Sequence, residues 1–570
     1  MPASPHSMHP PSSSSMRDWR MNAAYENAPL ISANQRNSSS HDFTAEPRIH
    51  IDTSTEDFQN GKFSWRQCWS FTGPGFLMSI AYVDPGNFES DLVAGAEFGY
   101  QLLWVLVWTT LLGFFVQELA VRLALATGRD LARCVRDEFP HKPTRIAMWA
   151  VTELAIVASD VPEVIGTAFA LKIIFGWQLW IGILVSSTSA MLLLMLRAHG
   201  VRPLEVFFGG VITCLCICYV VELWLVQPPV GKVVQGLVIP IIANNRALFV
   251  LVSLLGAVCM PHNLYLHSAL TLTRDIPTDA PPQTLKMALF YNKVESAIAL
   301  LLSLFVNCAV VIVAAYFHDN AKPEDVERLQ ENPLMSAPGL LRNTLGSLAS
   351  GAFAAALLAS GQSSTVTGTY AGQFVMEGML ELRIPTALRA FLTRSFAIFP
   401  SLAVALIAGD SGAENLILIS SVVLALQLPL ALLPLLKLVS TPHVCGSMSI
   451  HGFKKNALNV IVFVVVFANV FLVTQSASDM GIFDFSVTGA KLAGKVIVAV
   501  MCVLFIIAYL ACVFQLWKRP VLSTGGGKLP TITSGESLHD NVASDDDNHN
   551  DNMNMNGGGS AAASDDHEQK

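Results

Sequence analysis

The chain has 570 residues, of which 52% are hydrophobic and 14% are charged. Soluble proteins carry about 25% charged residues, so the composition excludes one or several soluble domains. Apolar runs of about 18 residues or more recur along the chain and predict a polytopic helical membrane protein. A transmembrane β-barrel is disfavoured because its strands would alternate apolar and polar residues over about 10 positions.

The net charge of −8 is concentrated near the end of the chain. Residues 520–570 contain nine acidic and two basic residues, a net charge of −7. The sequence has no basic patch of the kind that would indicate a nucleic-acid partner. We expect a disordered cytosolic arm at 1–65, a membrane domain at 66–518 and a disordered, acidic cytosolic tail at 519–570.

About twelve membrane spans are expected between the two tails. Their approximate limits are 71–96, 102–126, 146–171, 178–196, 203–226, 247–272, 294–317, 348–376, 389–408, 414–438, 456–475 and 492–516. The loop after the second span is rich in basic residues, whereas the loops after the first and ninth spans have no Lys or Arg. Positive loops face the cytosol, so both termini are predicted to be cytosolic.

Helix-breaking residues interrupt two of these spans near their middles. The first span reads AYVDPGN over residues 81–87, and the sixth reads GAVCMPHN over residues 256–263. Proline removes a backbone donor, and the freed carbonyls within a bilayer need protein, water or an ion as partner. Interrupted helices at corresponding places in two halves of a chain are typical of a transporter site near the midplane.

The side chains at the two breaks indicate a metal ligand set. Asp84 is a carboxylate at membrane depth, and Asn87 adds an amide oxygen three residues later. Met260 adds a thioether beside the carbonyl of Ala257. Oxygen ligands alone would suit Mg²⁺ or Ca²⁺, whereas a thioether favours transition metals such as Mn²⁺, Fe²⁺ or Cd²⁺.

Three segments resemble the NRAMP family of divalent-metal transporters. They are GPGFLMSIAYVDPGN at 73–87, MPHNLYLHS at 260–268 and GQSSTVTGTYAGQ at 361–373. The resemblance covers roughly residues 70–516 and implies an all-α, LeuT-like fold of two inverted five-helix repeats plus two further helices.

The resemblance also implies metal coordination by the side chains of Asp84, Asn87 and Met260. Backbone carbonyls of Ala257 and, in the inward-facing state, Ala81 would complete the shell. Many relatives contribute an amide from span ten, where this chain has Ser421. A serine could act through water, and Gln427 is a less favoured substitute.

Span three carries Glu153, Asp160 and Glu163, with helical spacings that put neighbouring members on one face. Arg389 and Arg394 at the start of span nine are candidate partners. The family resemblance assigns these acids to a proton route; the alternative is a static network of buried ion pairs.

Two histidines follow the second break. His262 and His267 could pass protons because histidine titrates near neutral pH, although buried histidines also serve as plain hydrogen-bonding groups. Neither is expected to be a main metal ligand.

The predicted function is proton-coupled symport of Mn²⁺ or Fe²⁺ toward the cytosol by alternating access, with Cd²⁺, Co²⁺ and Zn²⁺ as further candidates. The alternatives are a Mg²⁺ carrier and a metal sensor built on the same scaffold. An enzyme is disfavoured because no nucleophile–base set, phosphate loop or HExxH pattern occurs. We expect no cofactor besides the transported metal and protons.

The arm contains a sorting pattern, Glu-x-x-x-Leu-Ile, formed by Glu26, Leu30 and Ile31. Clathrin adaptors read such acidic dileucine signals. The pattern favours a vacuolar or endolysosomal membrane over the plasma membrane.

Overall fold

The computed structural model of this chain describes residues 49–521, with gaps. The gaps are at 52, 54, 56–57, 59–60, 74, 76–77, 79–80, 187–209, 211–212, 214–215, 218, 278–279, 383 and 480–489. Glu26, Leu30 and Ile31 and nearly all of the predicted acidic tail therefore lie outside the described residues, as do parts of spans one, four and five.

The described structure is almost entirely helical. Its helices are α1 (Trp65–Phe71), α2 (Pro85–Phe98), α3 (Leu103–Thr127), α4 (Leu131–Glu138), α5 (Lys142–Phe175), α6 (Val230–Val238), α7 (Asn245–Val258), α8 (Pro261–Thr271), α9 (Pro282–Asn320), α10 (Pro323–Glu331), α11 (Pro333–Leu345), α12 (Ser347–Leu380), α13 (Thr386–Val439), α14 (Pro442–Cys445), α15 (Phe453–Asp479) and α16 (Ala490–Lys518). Further helical residues occur at 179–186, 216–217 and 219–226. Strands β1 (Ile49–His50) and β2 (Arg274–Asp275) form a short parallel pair.

Within the described residues, seven helical segments are long and apolar enough to cross a membrane. Helix α13 contains the ninth and tenth predicted spans. The helical backbone is interrupted between them at Gly409, which has φ +66°. Only 33% and 11% of the most apolar windows of α15 and α16 are buried. Helices that are apolar on nearly every face and exposed in the monomer are typical of lipid-facing spans.

Several short helices occupy segments where the sequence predicted only loops. The loop expected at about 318–347 contains α10 and α11, each of which begins with a proline at its first position. Proline is favoured there because the first helical N–H groups have no partner within the helix.

Two apolar residues before the first span are part of the packed structure. Ile51 and Phe58 are buried, and the rings of Phe58 and Phe71 each stack near Tyr291 of α9. Ile51 and Phe58, which the sequence assigned to the arm, thus pack against the membrane domain. This contact fixes the start of the first interrupted span.

Candidate metal site and acid–arginine network

The first break separates a helical segment ending near Ala81 from α2. Asp84 lies at the N-cap of α2 with extended backbone, and Pro85 follows at the first helical position. The Asp84 Oδ1 atom accepts hydrogen bonds from the Asn87 backbone N–H at 2.7 Å and from Asn87 Nδ2 at 2.8 Å. The carboxylate therefore caps the half-helix that it begins.

Neighbouring helices satisfy carbonyl groups that the first break frees. Asn307 Nδ2 of α9 donates to the Tyr82 carbonyl at 3.0 Å, and the Ser360 hydroxyl of α12 donates to the Val83 carbonyl. An unpartnered carbonyl in a bilayer would cost several kcal/mol. These contacts make the unwound backbone a fixed part of the structure.

The second break separates α7 from α8. Met260 lies at the N-cap of α8, Pro261 follows it, and the Met260 side chain makes no capping hydrogen bond. Cys259 directs its Sγ to the Thr109 carbonyl at 3.2 Å. The thiol beside Met260 is thus engaged with α3 rather than with the break.

A contact between Asn87 and Ala257 joins the two breaks. Asn87 Nδ2 lies 3.3 Å from the Ala257 carbonyl oxygen. The Asp84 Oδ2 and Asn87 Oδ1 atoms are buried, and neither is hydrogen-bonded within the described residues. Met260 is 4% exposed. One carboxylate, one amide, one carbonyl and one thioether are consequently available around the junction.

This donor set fits a divalent transition metal as a transported substrate. Orphaned oxygen atoms at a buried site call for a cation or water as partner, and a thioether adds preference for a softer ion. No cluster of three or more His, Cys, Asp or Glu side chains able to hold a metal occurs in the described residues. Among the described residues in contact at the junction, Asp84 supplies the carboxylate, and the other groups beside it are the Asn87 amide, the Ala257 carbonyl and the Met260 thioether.

Span ten contributes backbone contact beside the junction. A side chain on Gly256 would come within 1.8 Å of the Ser421 carbonyl oxygen, so α7 and α13 meet there at backbone distance. The Ser421 hydroxyl donates to the Ile417 carbonyl at 3.2 Å, and Gln427 Nε2 donates to the Val151 carbonyl. The Ser421 hydroxyl is therefore engaged within its own helix, whereas the Gln427 Oε1 atom is buried and is not hydrogen-bonded within the described residues.

The acids of α5 meet the arginines of α13. Arg389 Nη2 lies 2.8 Å from Glu153, and Arg394 Nη1 lies 2.9 Å from Glu163 and 3.6 Å from Asp160. Asp160, Glu163 and both arginines are buried. Buried charges of this kind persist only when paired, and the arrangement joins all five residues that the sequence singled out.

The glycines of the 361–373 segment make room for this network. A side-chain carbon on Gly368 would lie 3.2 Å from Asp160 Oδ1, and one on Gly372 would lie 2.2 Å from Arg389 Nη2. Thr365 accepts a hydrogen bond of 2.5 Å from Arg394 Nη2. Helix α12 therefore meets the acids through a face of small residues, a role that the motif alone did not reveal.

The two histidines lie in α8 beyond the second break. His262 is 2% exposed and His267 is fully buried. Neither ring nitrogen of His267 is hydrogen-bonded within the described residues, and Nδ1 of His262 is likewise without a hydrogen bond there. Both rings thus have free capacity to take part in a hydrogen-bonded chain.

Sequence analysis overlooked two further carboxylates in α2. Glu89 and Asp91 are 1% and 0% exposed, and none of their four carboxylate oxygens is hydrogen-bonded within the described residues. Their position in an apolar span is the signal that could have identified them, because acids at membrane depth are costly and usually functional.

The fold and the junction define a polytopic α-helical membrane protein of the transporter type, with ligand groups gathered at two broken helices. The family model for natural resistance-associated macrophage protein-like (Nramp) proteins matches residues 75–475. The chain therefore belongs to the Nramp family, which confirms the resemblance inferred from its three motifs.

Comparison with curated proteins finds long, similar relatives. The chain is 45% identical over 421 residues to metal transporter Nramp3 of Oryza sativa subsp. japonica, which covers 73% of this chain and 75% of the relative. It is 44% identical over 419 residues to metal transporter Nramp6 of Arabidopsis thaliana, covering 73% and 79%.

A solved structure shares the architecture. The crystal structure of the Eremococcus coleocola manganese transporter in complex with an aromatic bis-isothiourea substituted compound is 29% identical, with a TM-score of 0.68. The match covers 80% of this chain and 96% of that one. The predicted all-α, LeuT-like fold class is thereby confirmed.

Proposed function

We propose that this protein is a proton-coupled symporter that moves divalent transition-metal ions, Mn²⁺ or Fe²⁺ first among them, toward the cytosol. The observation that carries the proposal is the junction of the two breaks. There Asp84, Asn87 and the Ala257 carbonyl lie in direct contact, and Met260 begins the adjoining half-helix. Relatives named metal transporters and a manganese transporter structure support the same assignment.

The proposed cycle begins when a metal ion replaces the contacts inside the junction. Asn87 now donates to Asp84 and to Ala257. A bound cation would attract the Asp84 carboxylate, the Asn87 amide oxygen and the Ala257 carbonyl instead, with the Met260 sulfur completing the set. In the inward-facing state, the carbonyl of Ala81 would join the shell. Metal binding would thus change the contacts at both helix breaks. Because the two breaks join the half-helices that move, this change would favour one of the outward-open and inward-open states over the other.

Protons would travel along α5. Asp84 is the first acceptor in this scheme, because metal binding requires its ionised form and proton binding opposes it. Asp160, Glu163 and Glu153 would continue the route, and Arg389 and Arg394 would hold the acids at defined spacings. His262 and His267 are a second set of groups able to relay protons near the junction.

Met260 separates this proposal from a Mg²⁺ carrier. A hard ion gains little from a thioether, whereas a borderline or soft ion such as Fe²⁺, Co²⁺, Zn²⁺ or Cd²⁺ gains a ligand. A metal sensor on the same scaffold is the remaining candidate, and it would bind metal without net flux.

The test is Mn²⁺ uptake by the full chain in proteoliposomes, with and without an inward proton gradient. We expect uptake that rises with the gradient and is lost in Asp84→Ala. An uptake rate that is the same with and without the proton gradient would refute proton coupling. Metal binding without flux of Mn²⁺, Fe²⁺ or Cd²⁺ would favour the sensor.

We propose further that both termini are cytosolic and that the protein resides in a vacuolar or endolysosomal membrane. The basic loop after span two supports the orientation. The sorting pattern of Glu26, Leu30 and Ile31 supports the compartment. Replacing Leu30 and Ile31 by alanine should move a fluorescent fusion to the plasma membrane, and unchanged vacuolar fluorescence would overturn the adaptor proposal.

A further inference from the structure

A basic cleft lies between α3 and α9, and none of its lining residues belongs to the metal junction. It has a volume of about 280 Å³ and is bounded by α3, α9 and the turn at Ser447–Met448. Arg122, Lys286 and Lys293 line it together with Leu289 and Phe290. The positions 286, 289, 290 and 293 recur at helical spacing, so α9 turns one mixed basic and apolar face into the cleft.

Two of the cations are held in place by a buried carboxylate. Glu118 Oε1 lies 2.6 Å from Arg122 Nη2 and 2.7 Å from Lys293 Nζ. Arg122 Nη1 also donates to the Met448 carbonyl at 3.1 Å. Lys454 approaches Glu118 at 3.9 Å. The guanidinium and ammonium groups are therefore positioned before any ligand arrives, which lowers the entropic cost of binding an anion.

The cleft has more positive charge than its carboxylate can neutralise. Arg122, Lys286 and Lys293 line the cleft and Lys454 approaches its edge, while Glu118 is the one carboxylate paired with any of them within the described residues, so these five side chains sum to +3. Lys286 is exposed. Phosphate groups are the anions that Arg and Lys clusters of this kind recognise.

Aromatic side chains place the cleft at the membrane surface. Phe290 is 43% exposed, and its ring meets that of Phe63 edge-on with centroids 6.3 Å apart. Trp65 and Trp69 of α1 are each 70% exposed, and their spacing puts them on one face. Exposed tryptophans gather at the boundary between bilayer and water. The cleft thus offers cations at headgroup level next to an apolar wall.

We infer that this cleft binds the headgroup of an anionic phospholipid that carries phosphomonoester groups, such as a phosphorylated inositol lipid. Basic pockets between membrane helices at the bilayer surface suit headgroups of this class. The net charge of +3 matches several phosphate charges better than a single diester. Leu289 and Phe290 give the acyl chains an apolar contact that a soluble phosphate would not use.

The test measures binding to the full chain in detergent, with dioctanoyl phosphatidylinositol bisphosphate as the probe. Dioctanoyl phosphatidylcholine and inorganic phosphate are the comparison ligands. Lys286→Gln should weaken binding of the probe about fivefold, the effect of one lysine near an anionic headgroup. Lys286→Glu should weaken it further. Lys286 is exposed and makes no ion pair within the described residues, so both variants are expected to fold.

Lys142→Gln is the matched control, because Lys142 is an exposed lysine at the start of α5 and does not line the cleft. Its affinity for the probe should stay within about twofold of the wild type. Equal affinities of Lys286→Gln and wild type, or an equal loss in the control, would overturn the site. Inorganic phosphate that binds as tightly as the probe would overturn the lipid as its source. The readout is independent of metal flux.

Discussion

At the first break the residue before the proline is Asp84, and at the second it is Met260. Both stand at the N-cap of a half-helix in extended backbone, so the two breaks share one backbone device. Asp84 caps its half-helix with its own side chain, whereas Met260 does not. The second break therefore has a thioether where a capping side chain would stabilise the half-helix. Helix stability alone does not explain a methionine at this position.

The two breaks also differ in the hydrogen bonds that their freed backbone carbonyls accept. Asn307 and Ser360 bind carbonyls released at the first break. At the second break, the one contact that the Ala257 carbonyl receives from another helix within the described residues is the long contact from Asn87, at 3.3 Å. A metal ion can displace that weak contact at small cost. In the proposed cycle, the first break would contribute the charge of Asp84, and the second break would contribute the Ala257 carbonyl and the Met260 sulfur as ligands.

The largest expected effect is the loss of Asp84. Asp84→Ala and Asp84→Asn should each weaken Mn²⁺ binding roughly 30-fold or more, because removing one partner of a buried charge contact costs about 2–5 kcal/mol. Isothermal titration in detergent measures this loss. Only the alanine variant also loses the cap, which adds about 1 kcal/mol of instability. Wild-type affinity in Asp84→Asn would show that the charge is not needed.

The next effect concerns the acid–arginine network. Gly372→Ala should push the Arg389 guanidinium away from Glu153, since the new carbon would lie 2.2 Å from Arg389 Nη2. We expect a loss of about 1–3 kcal/mol in stability, typical of overpacking, and reduced stimulation of uptake by a proton gradient. Thermal unfolding and flux assays measure the two quantities.

Gly351 provides the matched control on the same helix. Apart from the adjoining backbone of α12, no heavy atom of the described residues lies within 4 Å of a carbon added there, so Gly351→Ala should gain helix propensity of up to about 1 kcal/mol and leave flux unchanged. Equal behaviour of the two variants would remove the steric explanation of the motif.

A smaller effect is expected for selectivity. Met260→Leu nearly conserves volume and should cost less than about 1.5 kcal/mol in stability, while it removes the sulfur. Preference for Cd²⁺ over Ca²⁺ in competition flux assays should fall roughly tenfold, the equivalent of one modest ligand contact. Unchanged preference would place the sulfur outside the coordination shell.

The smallest effect compares two truncations of the same residue. Met260→Ser and Met260→Ala both remove the thioether and the packing, but serine can cap α8. The serine variant should therefore be about 1 kcal/mol more stable to thermal unfolding. Identical stabilities would mean that the free N–H groups of α8 already have partners in the wild type.

The prolines, composition and motif order were sufficient to predict the all-α class and both breaks. Arg389 pairs with Glu153 and Arg394 pairs with Glu163, although the partners are more than 200 positions apart in the chain. Helical spacing predicts that neighbouring acids share a face of α5, but it does not predict which arginine each acid contacts. Gly372 leaves room for the Arg389 guanidinium. This role cannot be predicted from the sequence because it depends on how α12 and α13 pack together.

Other features escaped sequence analysis for local reasons. The short helices α10 and α11 are amphipathic or proline-started segments in a mixed-charge loop, which lacks the long apolar run that identifies a span. Burial of Ile51 and Phe58 depends on contact with α9 and not on any pattern in the arm itself.

The central claim is that one metal ion is held by both breaks together. X-ray absorption spectroscopy on the Cd²⁺-bound protein tests it directly. The account predicts one sulfur in a shell otherwise made of oxygen, present in Cys259→Ala and absent in Met260→Leu. A shell of oxygen alone in the wild type, or a sulfur that disappears with Cys259, would contradict it.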